Sequence, residues 1–148
     1  MGRIKVTAGL VIVGALALSA GVASAKPLPR SQWKAQADAI CTQMYADLST
    51  IQDELFGPNS PNPVPPGTPS ATELAAFAAE LVPVFKEAVV AIDGLKEPKA
   101  LSRRVKQLKA TAFEEAAAIE ADPGILGLPE DPFPGTTKIG TKLRLTCG

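Results

Sequence analysis

Among 148 residues there is no histidine. That absence excludes Ser-His-Asp and Cys-His nucleophilic catalysis and the H-E-x-x-H zinc site, all of which need an imidazole. Cysteine is nearly as scarce. Cys41 and Cys147 are the only thiols and form no C-x-x-C, so a redox pair or a thiol-rich metal site lacks its ligands. The sequence has no glycine-rich phosphate loop and no calcium loop, and its carboxylates lack metal-ligand spacing. Asp53-Glu54 and Glu114-Glu115 are adjacent pairs, and neighbours in a helix point to different faces, which is poor geometry for shared acid–base work. No catalytic residue, metal or cofactor is therefore expected, and an enzyme is the remotest reading.

The beginning of the chain is the most legible part. Arg3 and Lys5 precede an apolar run from Val6 with no further charge until Lys26, and the run closes on Ala23-Ser24-Ala25. A positive start, an apolar middle and an A-x-A end predict a secretory signal over residues 1–25. There is no Arg-Arg pair for twin-arginine export. Gly21 follows Leu18-Ser19-Ala20 where lipidation would need a cysteine. The 18 residues from Val6 to Ala23 are near the lower limit for a membrane span, so a retained anchor is the alternative. Cleavage would leave residues 26–148 as one domain with no stable membrane span, secreted or held in the cell envelope. That domain carries 13 basic and 15 acidic residues, a balance near −2 that predicts no general attraction to nucleic acid.

In an oxidising compartment Cys41 and Cys147 are expected to form a structural disulfide. Closing a loop of roughly 100 residues is worth on the order of 4–5 kcal/mol. The whole domain has an expected net stability of only about 5–15 kcal/mol.

Apolar spacing predicts an all-α fold, a small bundle of three long helices and a lesser fourth element. The first helix is expected from Ser31, as N-cap, to about Phe56, with Trp33, Ala37, Ile40, Met44, Leu48, Ile51 and Leu55 on one face. Cys41 lies beside that face. Residues 57–69 (GPNSPNPVPPGTP) hold too many prolines for helix or inner strand and read as a semi-rigid connection. Ser70-Ala71-Thr72-Glu73 is a capping box that opens the second helix. Leu74, Phe77, Leu81, Val84, Ala88, Ile92 and Leu95 form its stripe, and Pro83 inside it should kink the helix. The third helix is expected from Pro98 to Glu120, with Leu101, Val105, Leu108, Ala112, Ala116 and Ile119 facing inward. Residues 125–135 read as an apolar loop over the bundle, followed by a short helix near Thr136–Lys142. Leu143 to Cys147 alternates like an extended tail.

Ala37-Asp38-Ala39-Ile40-Cys41, Leu145-Thr146-Cys147-Gly148, and the Pro-rich loop ahead of Leu74-Ala75-Ala76-Phe77 and Val82-Pro83-Val84-Phe85 give the chain a likeness. It resembles the uncharacterised small secreted helical proteins of actinobacteria. The resemblance implies export and a helical fold and brings no activity with it. Residues 122–135 depart from it, because proline there replaces continued helix.

Two features suggest binding. Lys96, Lys99, Arg103 and Lys106 step by three and four opposite the Leu101/Val105/Leu108 face, a candidate stripe for an anionic partner. The acids Glu114, Glu115, Glu120 and Asp122 follow in the same helix, an order that opposes the helix macrodipole at about 0.3–1 kcal/mol per misplaced terminal charge. Tyr45, the single tyrosine, is the candidate ligand contact, since a phenolate can ligate haem iron. The expected function is a secreted, non-enzymatic bundle that binds a protein partner or a small apolar ligand. The alternative is an envelope-associated protein held to anionic polymer by the basic stripe.

Overall fold

Prolines and one capping box set where the helices begin. The computed structural model describes residues 26–57 and 69–148. The expected signal at 1–25 and residues 58–68 of the Pro-rich connection lie outside the described residues. Helix α1 spans Arg30–Phe56, α2 Ala71–Gly94, α3 Lys99–Ala121 and α4 Pro134–Leu143, with a 3-10 turn over Pro123–Gly127 between the last two. No strand occurs among the described residues, and Cys41 is bonded to Cys147. The fold is all-helical, three long helices and a short fourth.

Ser31 is not the cap of α1. Pro29 holds that position, and its carbonyl accepts the Trp33 N–H at 2.9 Å. Proline has no N–H to leave unpaired and its ring fixes φ, so the helix can start directly behind it at Arg30. Pro98 does the same for α3, its carbonyl accepting the Leu101 N–H at 2.8 Å. The box at α2 forms as its sequence predicts. Glu73 N–H donates to the Ser70 hydroxyl at 3.2 Å, and Ser70 N–H donates to the Glu73 carboxylate at 2.7 Å. The Ser70 hydroxyl and, after it, the Ser70 backbone hold the Glu73 carboxyl below its ordinary 4.5. A lowered acid stabilises the fold above its ordinary value, and that contribution disappears as pH falls through the lowered one. Helix α2 continues through the exposed Pro83 without interruption.

Neighbouring helices run antiparallel. Phe56 of α1 meets Phe77 of α2 edge-on at 5.5 Å, while Trp33 and Ile92 share a cluster at the other end. Lys109–Asp93 and Lys86–Glu120, each at 2.7 Å, fix α3 against α2. Two core clusters result. One gathers Trp33, Ala37, Cys41, Ile92, Leu101, Val105, Leu108, Leu143 and Leu145 around the disulfide end. The other joins Met44, Phe77, Leu81, Phe85, Ala112, Ala116, Ile119 and Leu126 at the far end. Helix α2 touches α1, α3 and the 3-10 turn. It therefore buries a face wider than a single stripe, adding Ala78, Val82, Phe85 and Val89, while Val84 is only half-buried. Leu55, placed inward by spacing, is exposed, and Gln52 is buried instead. In the last turns of α1 the inward row steps by four, through Met44, Leu48 and Gln52.

The tail differs from the expected extended segment. Arg144 adopts the left-handed conformation (φ 61°, ψ 39°) directly after α4. Its N–H bonds the Thr141 carbonyl and the Leu145 N–H bonds the Gly140 carbonyl, each at 3.0 Å. This is a Schellman turn with arginine where glycine is usual. The reversal buries Leu143 and Leu145 on the same side and brings Gly148 onto Gly140. A Cβ on Gly140 would stand 2.8 Å from Gly148 Cα, so glycine is required by this close approach.

Candidate functional site

The 3-10 turn and the segment after it pack on α2 beside α1, leaving a gap between themselves and α1. That gap is a cleft of about 450 Å³. Its floor is Phe77, Leu81 and Phe85 of α2; Met44, Tyr45 and Leu48 of α1 form one wall. The opposite wall is Leu126, Leu128 and Phe133, and Cys147 lines the same cleft. The disulfide, with Cα atoms 5.4 Å apart, thus ties the α1 wall to the chain that follows α4.

Each wall has a local cause. Met44 and Leu48 are one helical turn apart and share a face. Pro129 and Pro132 restrict the backbone of the second wall. Asp131 accepts the Phe133 N–H at 2.8 Å, a local turn that sets the ring. The Phe133 ring stacks on Phe85 with centroids 3.9 Å apart. Leu128 is 53 % exposed and Tyr45 47 % exposed. Both are cleft-lining residues still open to solvent. Polar groups are few: Gln52, Thr136, Thr137, and the carboxylates of Glu130 and Asp131.

Glu115, one of the carboxylates read as a nominal pair, has a definite structural role. Its Oε1 accepts the Gly135 N–H at 2.6 Å, and its Oε2 accepts the Thr136 N–H at 3.1 Å and the Thr136 hydroxyl at 2.6 Å. It caps α4 from α3, setting a negative charge on the positive end of the helix dipole. Removing it in Glu115→Ala should cost about 1–3 kcal/mol, the range for unpairing charge-assisted bonds to half-buried donors. Urea unfolding would measure it, and Glu114→Ala, an exposed neighbour, should stay within about 0.5 kcal/mol.

Cys41 and Cys147 meet as expected, and Asp38 reinforces the junction by accepting the Thr146 N–H at 3.0 Å and pairing with Lys34. Tyr45 stands at the cleft. Lys96, Lys99, Arg103 and Lys106 are all exposed, as the stripe requires, and none lines the cleft. Gln52, Leu128 and Phe133 were not legible as site residues. The only signal was the mixture of apolar and proline residues at 125–135.

Among the described residues no group of three or more potential ligands could hold a metal ion, and no helix is long and apolar enough to cross a membrane. Comparison with family models, with curated proteins and with solved structures finds no match for this chain.

Proposed function

We propose that the protein is an extracytoplasmic, non-enzymatic binding protein that takes a small, mainly apolar molecule into the cleft between α1 and residues 126–137. The observation that carries this reading is the cleft itself. Its volume falls within the roughly 300–1,000 Å³ typical of small-ligand sites, and apolar walls with a few polar groups are their usual lining. Glu130 and Asp131 at the lining disfavour an anionic head group, so the ligand is neutral or cationic at its polar end. Tyr45 offers it a hydroxyl and a ring. A disulfide that ties α1 to the tail at the edge of the cleft suits a protein that works in an oxidising compartment, in keeping with the expected export signal.

The test uses N-phenyl-1-naphthylamine, a neutral apolar dye that brightens out of water. Saturable one-site binding is expected. Leu48→Trp fills the wall from a half-buried position and should weaken binding at least about 10-fold, the effect of removing on the order of 1.4 kcal/mol. Equal dye affinity in Leu48→Trp would place binding elsewhere and end this reading.

A further inference from the structure

The antiparallel helices sort the charges by end. Residues 26–41, 92–109 and 138–148, which build the cluster around the disulfide, carry 12 basic residues and 3 acidic ones. Residues 44–57, 69–91 and 110–137 carry 12 acidic residues and 1 basic one. A near-neutral sequence thus folds into a molecule with one strongly basic end and one strongly acidic end.

The basic end gathers three separate stretches. Arg30 and Lys34 come from the start of α1, and Lys142 and Arg144 from the end of α4. Lys99, Arg103, Arg104 and Lys106 of α3 belong to the same end, all exposed and without an ion pair among the described residues. Two of the three acids at this end are already engaged, Asp38 with Lys34 and Asp93 with Lys109. The bases at the starts of α1 and α3 also oppose the helix dipole, so helix stability does not explain them.

We infer that this end is an electrostatic docking cap for a linear polyanion rich in phosphate or carboxylate, and that it binds end-on. Among the described residues the exposed large apolar ones are Tyr45, Leu55, Val90, Phe113 and Leu128, and every one lies in the acidic stretches. Among the described residues the cap therefore has charge and no apolar wedge, which suits a hydrated polymer and not insertion into a bilayer. The acidic half is repelled from the same polymer, and most of the cleft lining lies in that half. Docking by the cap holds the cleft outward, open to solvent.

The test is binding of the purified protein to inorganic polyphosphate, read by anisotropy at two salt concentrations. Binding should weaken about 50-fold between 50 and 200 mM salt, as expected for about four neutralised phosphates. Arg103→Glu/Lys106→Glu should abolish it, and the charge-neutral Arg103→Gln/Lys106→Gln should weaken it at least about 10-fold while circular dichroism is unchanged. Lys86→Gln, the single base of the acidic half, should leave it unaltered. Unchanged affinity in the neutral pair overturns the cap, as does salt-insensitive binding. Retention on phosphatidylglycerol vesicles with none on polyphosphate overturns the polymer as partner.

Discussion

Replacing both cysteines in Cys41→Ala/Cys147→Ala should lower stability by about 5 kcal/mol. The bridge closes a loop of 106 residues, and freeing that loop in the unfolded chain returns about that much entropy at room temperature. The loss is comparable to the whole margin of a small domain, so the variant should be largely unfolded near body temperature. Urea unfolding of the oxidised, reduced and doubly substituted chains measures it. The reduced protein should behave like the double variant. A midpoint that does not move would mean that the helices hold the tail without the bridge, through Asp38 to Thr146 and the Schellman turn. Because the bridge ties the α1 wall to Cys147, which lines the cleft, dye affinity should also fall in the double variant under conditions where it remains folded.

Trp33→Ala should cost about 3–5 kcal/mol, the range for truncating a large buried aromatic residue. Trp33 is fully buried among residues of α1, α2, α3 and the tail, so the space it leaves has no flexible neighbour to close it. Its indole Nε1 is buried without a hydrogen-bond partner among the described residues. An unpaired buried donor carries a penalty of about 1–3 kcal/mol. Trp33→Phe removes that donor together with part of the ring, and the two effects oppose each other. Trp33→Phe should therefore cost less than half as much as Trp33→Ala, in the same urea experiment. Equal losses would mean that a phenyl ring recovers none of the packing and that the unpaired indole donor carries no penalty.

Much of the fold was legible because its signals are local. The S-x-x-E box marked the start of α2, and three–four spacing found the inward faces of α1 and α3. Cys41 and Cys147 could be paired from their compartment and their even number. The misses share a cause, contacts between segments distant in sequence. Residues 125–135 read as an apolar loop over the bundle, with which the buried Leu126 and the Phe133–Phe85 stack agree, but the 3-10 turn at Pro123–Gly127 that delivers them was not legible. The tail read as extended because Leu143, Leu145 and Cys147 alternate. An arginine in the left-handed conformation, which sequence gives no reason to expect, turns it back instead. Glu115 looked like an ordinary surface acid until α4 folded against α3 and presented its first N–H groups to the carboxylate.

The charge pattern shows the same division. The stripe on α3 was visible as a repeat of bases on one helix. Its continuation through Arg30, Lys142 and Arg144 depends on which helix ends come together. A net charge near zero argued against general attraction to nucleic acid, but it averages two ends of opposite sign. The cleft is likewise a product of assembly. Two of its floor residues, Phe77 and Leu81, were read as core, which they are, Phe85 lay off the expected stripe, and its second wall comes from residues 126–133.

The central claim is that the cleft holds a small apolar molecule. Native mass spectrometry of the protein taken from its own host's culture fluid, without reductant, tests it most directly. The expected result is a chain mass reduced by two hydrogens for the Cys41–Cys147 bridge, carrying an additional small species that is lost on denaturation. Leu48→Trp prepared in the same way should arrive bare. A wild-type chain that is itself bare, and gains no mass when offered a neutral apolar amine or alcohol, would contradict the account.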